Sequence, residues 1–220
     1  MTGPQPTRLC IVRHGETAWN AEHRVQGQLD VPLNAIGLAQ ALAAAKVLAR
    51  ERFDVIYSSD LQRARQTAEP AAAALGREVL LERDLRERHY GIFERKTYAE
   101  VKTAHAAEYA RFAARDPDFD FVSGESLSAF SRRSLAVLTR IAQAHAGRRV
   151  LVFTHGGVLD ELYRHVNGLP VRAARDFGIP NAGLNRVEFA LTRWQILAWA
   201  DVAHLEGALD DLREQPSARP

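Results

Sequence analysis

Leu9-Cys10-Ile11-Val12-Arg13-His14-Gly15-Glu16-Thr17 is a short unbroken apolar run that stops abruptly in a charged, glycine-containing turn. A run of this length with such an ending fits a strand buried on both faces that feeds a loop. In open α/β sheets ligands bind in the crevice outside the C-terminal ends of the strands, so Arg13 and His14 stand where a site is expected. The pattern recurs as Val150-Leu151-Val152-Phe153-Thr154 followed by His155-Gly156-Gly157. Two such loops from adjacent parallel strands would bring His14 and His155 together.

Working outward, Asn34 can cap a helix whose apolar residues Leu38, Leu42, Ala45 and Leu48 recur at helical spacing. Asp54 to Ser58 then reads as a second strand, and Leu61 to Leu75 as a helix that Pro70 should kink or split. Gly76 stops that helix before the strand-like Glu78 to Leu81. Thr97 to Arg115 is helical in pattern, and Asp116-Pro117 opens a loop that runs to Gly124-Glu125-Ser126. An amphipathic helix with Leu127, Phe130, Leu135, Leu138 and Ile141 precedes the His155 strand, and Val158 to Val166 forms the helix after it, stopped by Asn167-Gly168. Arg186 to Leu191 and Trp194 to Asp201 read as a hairpin across a Thr192-Arg193 turn. Strands alternating with helices predict a three-layer α/β/α fold with a mostly parallel central sheet and an antiparallel edge hairpin. One domain over residues 1–220 is the expectation, with a variable insert at about 93–123 and a frayed tail at about 213–220.

The 29 basic residues nearly balance 27 acidic ones, which leaves no basic excess of the kind nucleic-acid binding requires. No apolar run approaches a membrane-spanning length. The single cysteine, Cys10, lies in the first apolar run and reads as core, so no intramolecular disulfide forms and a cytoplasmic location is expected.

The chemistry gathers at the strand ends. Arginine at position 13 can grip phosphate, Gly15 lets the backbone approach closely, and His14 can attack phosphorus through one ring nitrogen when the other is held in the right tautomer. Ser58-Ser59-Asp60-Leu61-Gln62-Arg63 follows another strand and can supply a second guanidinium at a helix start. Glu87, in Leu85-Arg86-Glu87-Arg88-His89-Tyr90-Gly91, can donate the proton that ester cleavage needs. Ser58-Ser59 lacks a nucleophile elbow. His23, His89, His105, His145, His165 and His204 lack partners at metal-ligand spacing and read as surface residues, so no metal is expected.

With these residues in place the chain resembles the histidine phosphatase superfamily, the group of cofactor-dependent phosphoglycerate mutases and their phosphatase relatives. The resemblance runs from about Leu9 to about Phe189 and rests on Arg13-His14-Gly15-Glu16-Thr17, Asn20, Gln26-Gly27, Asp30-Val31-Pro32-Leu33, Gly37, Gln40-Ala41, Ser58-Ser59, Arg63-Ala64, Gln66-Thr67-Ala68, Glu87, Gly91, Gly124-Glu125-Ser126 and His155-Gly156-Gly157. It implies His14 as a nucleophile that becomes phosphohistidine, with Arg13, Arg63 and His155 around the phosphoryl group and Glu87 as general acid and then base. Asn20, Gln26, Gly27, Arg88, Tyr90 and Gly156 are implied as further substrate contacts, and no cofactor is implied.

Glu87-Arg88-His89-Tyr90-Gly91 is similar to the mutases, but the Gly-Leu-Asn-Lys stretch and paired arginines that follow it there are replaced by Phe93 to Tyr98 and an alanine-rich helix. His155-Gly156-Gly157-Val158 is similar to the phosphatase branch, where mutases have His-Gly-Asn. Hydrolysis of a small phosphorylated metabolite is therefore favoured, with mutase transfer as the alternative and a weakly active phospho-ligand binding module as the third reading. Phosphatase relatives carry Gly-x-Trp-Glu-Gly where this chain has Gly91-Ile92-Phe93-Glu94-Arg95, so Arg95 could intrude on the pocket or meet a second anionic group. The composition is compatible with a homodimer as well as a monomer.

Overall fold

The computed structural model describes residues 5–206; the tail at about 213–220 lies outside the described residues. Six strands form one sheet: β1 (Thr7–Arg13), β2 (Val55–Ser58), β3 (Val79–Leu81), β4 (Arg149–Thr154), β5 (Leu184–Ala190) and β6 (Arg193–Asp201), in the order β3-β2-β4-β1-β5-β6. The four strands from β3 to β1 run parallel, and β5 and β6 add the antiparallel edge. The helices are α1 (Ala18–Ala21), α2 (Ala35–Leu48), α3 (Gln62–Leu75), α4 (Tyr98–Ala104), α5 (Ala106–Ala113), α6 (Leu127–Ala144) and α7 (Gly156–Asn167).

The layers follow from side-chain alternation along β1. Leu9 and Ile11 pack with Leu138 and Ile141 of α6 and Leu159 and Leu162 of α7. Cys10 and Val12 turn to the other face, against Ala44, Ala45 and Leu48 of α2 and Ala68, Ala71 and Ala72 of α3. The expected three-layer α/β/α fold is the one found. Cys10 is core, and burial pushes its thiol up to about 12. No described helix is long and apolar enough to cross a membrane.

Several local expectations shift. Asn34 caps α2 by accepting from the Gly37 amide at 2.8 Å, but the buried face of that helix is its alanine side, and Leu38 and Leu42 are 47% and 57% exposed. The reason is Gly37, which must face the His14 loop: a Cβ there would lie 2.0 Å from the Glu16 carbonyl. Pro70 neither ends nor splits α3, which runs on to Leu75 and a left-handed cap at Gly76. Pro70 is only partly buried, so the carbonyl it deprives of a helical donor lies on a side that water can reach. The helical stretch from Thr97 breaks at His105, and the break lets Tyr109 and Phe112 of α5 join Phe93, Phe119 and Phe121 in a small aromatic core of their own. The hairpin turn is Leu191-Thr192, one residue earlier than expected, and both residues take positive φ (47° and 73°) without the glycine or asparagine that usually marks such a turn.

Candidate active site

Strand register delivers the two histidines. Arg13 pairs with Thr154 across the parallel β1–β4 ladder, so His14 and His155 are the first residues beyond both strands, with ring centroids 5.2 Å apart. β2 lies on the other side of β4 with Ser58 opposite Phe153, which places Ser59 beside them. The Ser59 hydroxyl shares a 2.8 Å hydrogen bond with His155 Nε2. Ser59 therefore orients a histidine, a role its sequence setting did not announce.

His14 is 3% exposed. Its Nδ1 lies 2.7 Å from the Gly15 carbonyl, which can only accept, so Nδ1 carries the proton and Nε2 keeps a free lone pair. The Gly15 amide donates to the Thr67 hydroxyl at 2.9 Å, and that hydroxyl donates to the Arg63 carbonyl. A Cβ on residue 15 would fall 2.5 Å from the Gly37 carbonyl, so glycine is required. Burial, then Arg63 and Arg13, hold the His14 imidazole well below the usual histidine range. Burial, then Arg63, His14 and Arg13, do the same for His155. Both rings are neutral at physiological pH.

Two arginines flank them. Arg13 donates from Nη1 to the Ile179 carbonyl at 2.6 Å, and its guanidinium lies against Gly156, where a Cβ would be 3.4 Å from Nε. Arg63, 1% exposed, donates to the carbonyls of Leu29 and Gly27 at 2.8 and 2.7 Å. Burial pulls its guanidinium down to about 10, which still leaves it charged at neutral pH. Arg13 Nε, Arg63 Nε and His155 Nδ1 are buried without a protein partner. Buried polar atoms are usually satisfied, so three unpartnered nitrogens around one nucleophile suit a group rich in acceptor oxygens, such as phosphate.

Glu87 faces this group across the start of α7, where the Gly157 amide donates to Oε2 at 2.9 Å and the Arg88 amide to Oε1 at 2.8 Å. A Cβ on residue 157 would lie 2.1 Å from Oε1, which explains the second glycine after His155. Arg133 of α6 fixes the loop by donating to the carbonyls of Asp84, Arg86 and Glu87 while its fork grips both oxygens of Glu125.

Arg13, Asn20, Glu87, Arg88, Tyr90 and Gly156 line a cleft of about 630 Å³, while His14, Arg63 and His155, buried beside Arg13 and Gly156, form the floor beneath it without lining it themselves. Asn20 also closes the capping box of α1 with Thr17. Two nitrogens of Arg88 are committed to the Glu125 and Phe119 carbonyls, so it braces the wall as well as lining it. Gln26 and Gly27 do not line the cleft; the Gly27 carbonyl holds the Arg63 fork, and Gln26 is buried beside it in the chain with Oε1 unpartnered. His23 stands at the cleft rim, and His145 bonds the Tyr57 hydroxyl. Arg95 points into a separate groove beside Trp19, Arg24 and Asp30, not into the cleft. The sequence reading missed Arg115, Asp160, Glu161, Arg175 and Asn181, which come from segments with no local signature. Among the described residues no three His, Cys, Asp or Glu side chains cluster to hold a metal ion.

A family model described as histidine phosphatase superfamily (branch 1) matches residues 9–202. The chain belongs to the histidine phosphatase superfamily. It is 41% identical over 202 residues to phosphoglycerate mutase-like protein 4 of Arabidopsis thaliana, covering 90% of this chain and 86% of that one. It is 39% identical to the metal-independent phosphoserine phosphatase of the same plant, covering 90% and 83%. Among solved structures, the mycobacterial glucosyl-3-phosphoglycerate phosphatase in complex with VO3 superposes with a TM-score of 0.79 at 32% identity, covering 89% of this chain and 99% of that one. The relatives' names span both mutase and phosphatase.

Proposed function

We propose that this histidine phosphatase is a metal-independent phosphomonoesterase that works through a phosphohistidine on a small phosphorylated metabolite. The observation that carries the proposal is the His14 ring, neutral and locked by Gly15 with Nε2 free between two guanidiniums. Nε2 attacks phosphorus, the P–O ester bond breaks, and Glu87 gives its proton to the departing alcohol oxygen. Glu87 then takes a proton from water as that oxygen attacks the phosphohistidine, releasing inorganic phosphate and the free imidazole. Arg13, Arg63 and His155 offset charge on the equatorial oxygens, so the chemistry needs no metal or other cofactor. Asn20, Arg88, Tyr90 and Gly156 contact substrate, and Gly27 supports Arg63. The enzyme is one catalytic domain with residues 93–123 as its variable insert, acting in the cytoplasm without nucleic-acid or membrane partners, as a monomer or homodimer.

The test is hydrolysis of an aryl phosphate with excess chelator, for wild type and His14→Ala. Chelator-resistant turnover that the substitution lowers by roughly 10⁴-fold is expected; activity surviving in His14→Ala would sink the nucleophile assignment. The mutase reading is favoured by the name of the 41% identical relative and by Arg175, which brings a cation to the cleft from a segment other than the one that carries such cations in mutases. Incubation with 3-phosphoglycerate separates the two, since a mutase yields 2-phosphoglycerate and a phosphatase yields inorganic phosphate.

A further inference from the structure

The cleft continues from Glu87 along the first turns of α7 to Asp160 and Glu161. Each is 7% exposed, a rare degree of burial for a carboxylate and an unexpected one in a cleft built for an anion. Asp160 Oδ2 accepts from Arg164 Nε at 2.9 Å and Arg115 Nη2 at 3.2 Å, and Glu161 Oε1 accepts from the same Arg115 nitrogen at 3.3 Å. The two arginines and two acids thus balance in charge. Asp160 Oδ1, however, is buried with no hydrogen-bond partner. Burial raises the Glu161 carboxyl above its usual range, a hydrogen bond with the Ser131 side chain opposes the rise, and Asp160 adds to it while Arg115 and Arg164 oppose it. Arg164 Nη2 in the same network is also buried without a partner, so the acceptor left unmet in the pair is Asp160 Oδ1.

Asp160 and Glu161 lie three and four residues beyond Gly157, whose amide holds Glu87, and a rise of about 1.5 Å per residue puts their backbone about 4.5–6 Å farther along the α7 axis. An ester whose leaving oxygen rests on Glu87 reaches that point two or three bonds beyond that oxygen. We infer that Asp160 and Glu161 form a specificity subsite for the leaving group, one that takes a hydrogen-bond donor, an ammonium or a hydroxyl, two or three bonds from the ester oxygen. An anionic end group there would meet two acids whose cations are already shared out. The inference rests on the phosphomonoesterase reading and names the kind of alcohol it releases.

The experiment compares three esters of similar size: propyl phosphate with no donor, glycerol 3-phosphate with hydroxyls, and phosphoethanolamine with an ammonium. In wild type, kcat/KM for at least one donor-bearing ester should exceed that for propyl phosphate by about tenfold or more. In Asp160→Asn and Glu161→Gln that ratio should shrink to about threefold or less, mostly through KM. Using a ratio within each variant cancels any general loss of folded enzyme. Preference for phosphoethanolamine identifies the donor as an ammonium, and preference for glycerol 3-phosphate identifies it as a hydroxyl. No preference in wild type, or a ratio unchanged in both variants, overturns the inference and leaves a structural ion-pair network. Aryl phosphate turnover that depends on His14, run alongside, separates that failure from failure of the phosphatase reading; no turnover of any ester sinks both.

Discussion

The floor and the wall of the cleft are built in different ways. On the floor, His14, Ser59 and His155 are placed by backbone, each being the first residue past one of the sheet's parallel strands. In the wall, Arg88 and Tyr90 are placed by side chains: Arg88 donates to the Phe119 and Glu125 carbonyls and its guanidinium lies 4.5 Å over the Phe121 ring, while Tyr90 packs edge-on to Phe121 at 5.1 Å. A floor fixed by a ladder tolerates change in one side chain without moving its neighbours. A wall fixed by packing does not, and the two should fail in different ways. Glu87 tests the floor's side of this contrast, because backbone amides hold its carboxylate. Glu87→Gln should lower kcat by about 10²–10⁴, and by less for aryl phosphates, whose leaving groups need no proton. Equal loss on aryl and alkyl esters would show that Glu87 acts on position and not on the proton.

Phe121 tests the wall. It is fully buried and touches Phe93, Phe119 and Tyr90 with centroids 4.7 to 5.1 Å away. Phe121→Ala should cost about 3–5 kcal/mol of stability, read by urea unfolding, and should raise KM more than it lowers kcat, because it frees Arg88 and Tyr90 but not His14. A kcat loss like that of Glu87→Gln, with KM unchanged, would erase the distinction between floor and wall.

The same contrast decides what could be read from the sequence. Arg13, His14, His155 and Arg63 were legible because an apolar run with a sharp end states both the strand and the place just past it. Asp160, Glu161, Arg115 and Arg175 were not, since α7 shows them only as charged residues of an amphipathic helix, and Arg115 reaches the cleft by a loop-end turn at φ 50° that no local pattern marks. Which side of α2 turns inward was not legible for a related reason: its alanines look indifferent in sequence, and only the close approach of Gly37 to Glu16 sets the buried side.

Acid sensitivity sharpens the picture of a dry floor. His14 and His155 stay neutral in the folded protein, while in the unfolded chain each takes up a proton below the ordinary value of 6.5. The unfolded state therefore binds more protons at low pH, so stability is flat above 6.5 and falls as pH drops below it, by about 2 kcal/mol per histidine between pH 7 and 5. Unfolding free energies at these two pH values should differ by about 2 kcal/mol less in His155→Gln than in wild type. An unchanged difference would mean that water reaches the ring.

The smallest effect concerns Arg95, at the outer end of the wall. It holds φ at 71° and is exposed, and its backbone amide donates to the Val25 carbonyl at 3.0 Å, so the loop cannot relax without losing that bond. Phosphatase relatives carry glycine at this place in the motif, the residue that adopts such a φ without strain. Left-handed backbone costs a side-chain-bearing residue about 1–2 kcal/mol, and glycine gives back about 0.5–1 kcal/mol through unfolded-chain entropy. Arg95→Gly should therefore raise stability by about 0.5–1 kcal/mol, a melting shift of a few degrees. If the variant is instead destabilised by more than about 1 kcal/mol, the Arg95 side chain contributes a contact in its groove that outweighs its backbone strain, and the wall extends farther from the cleft than the aromatic cluster alone.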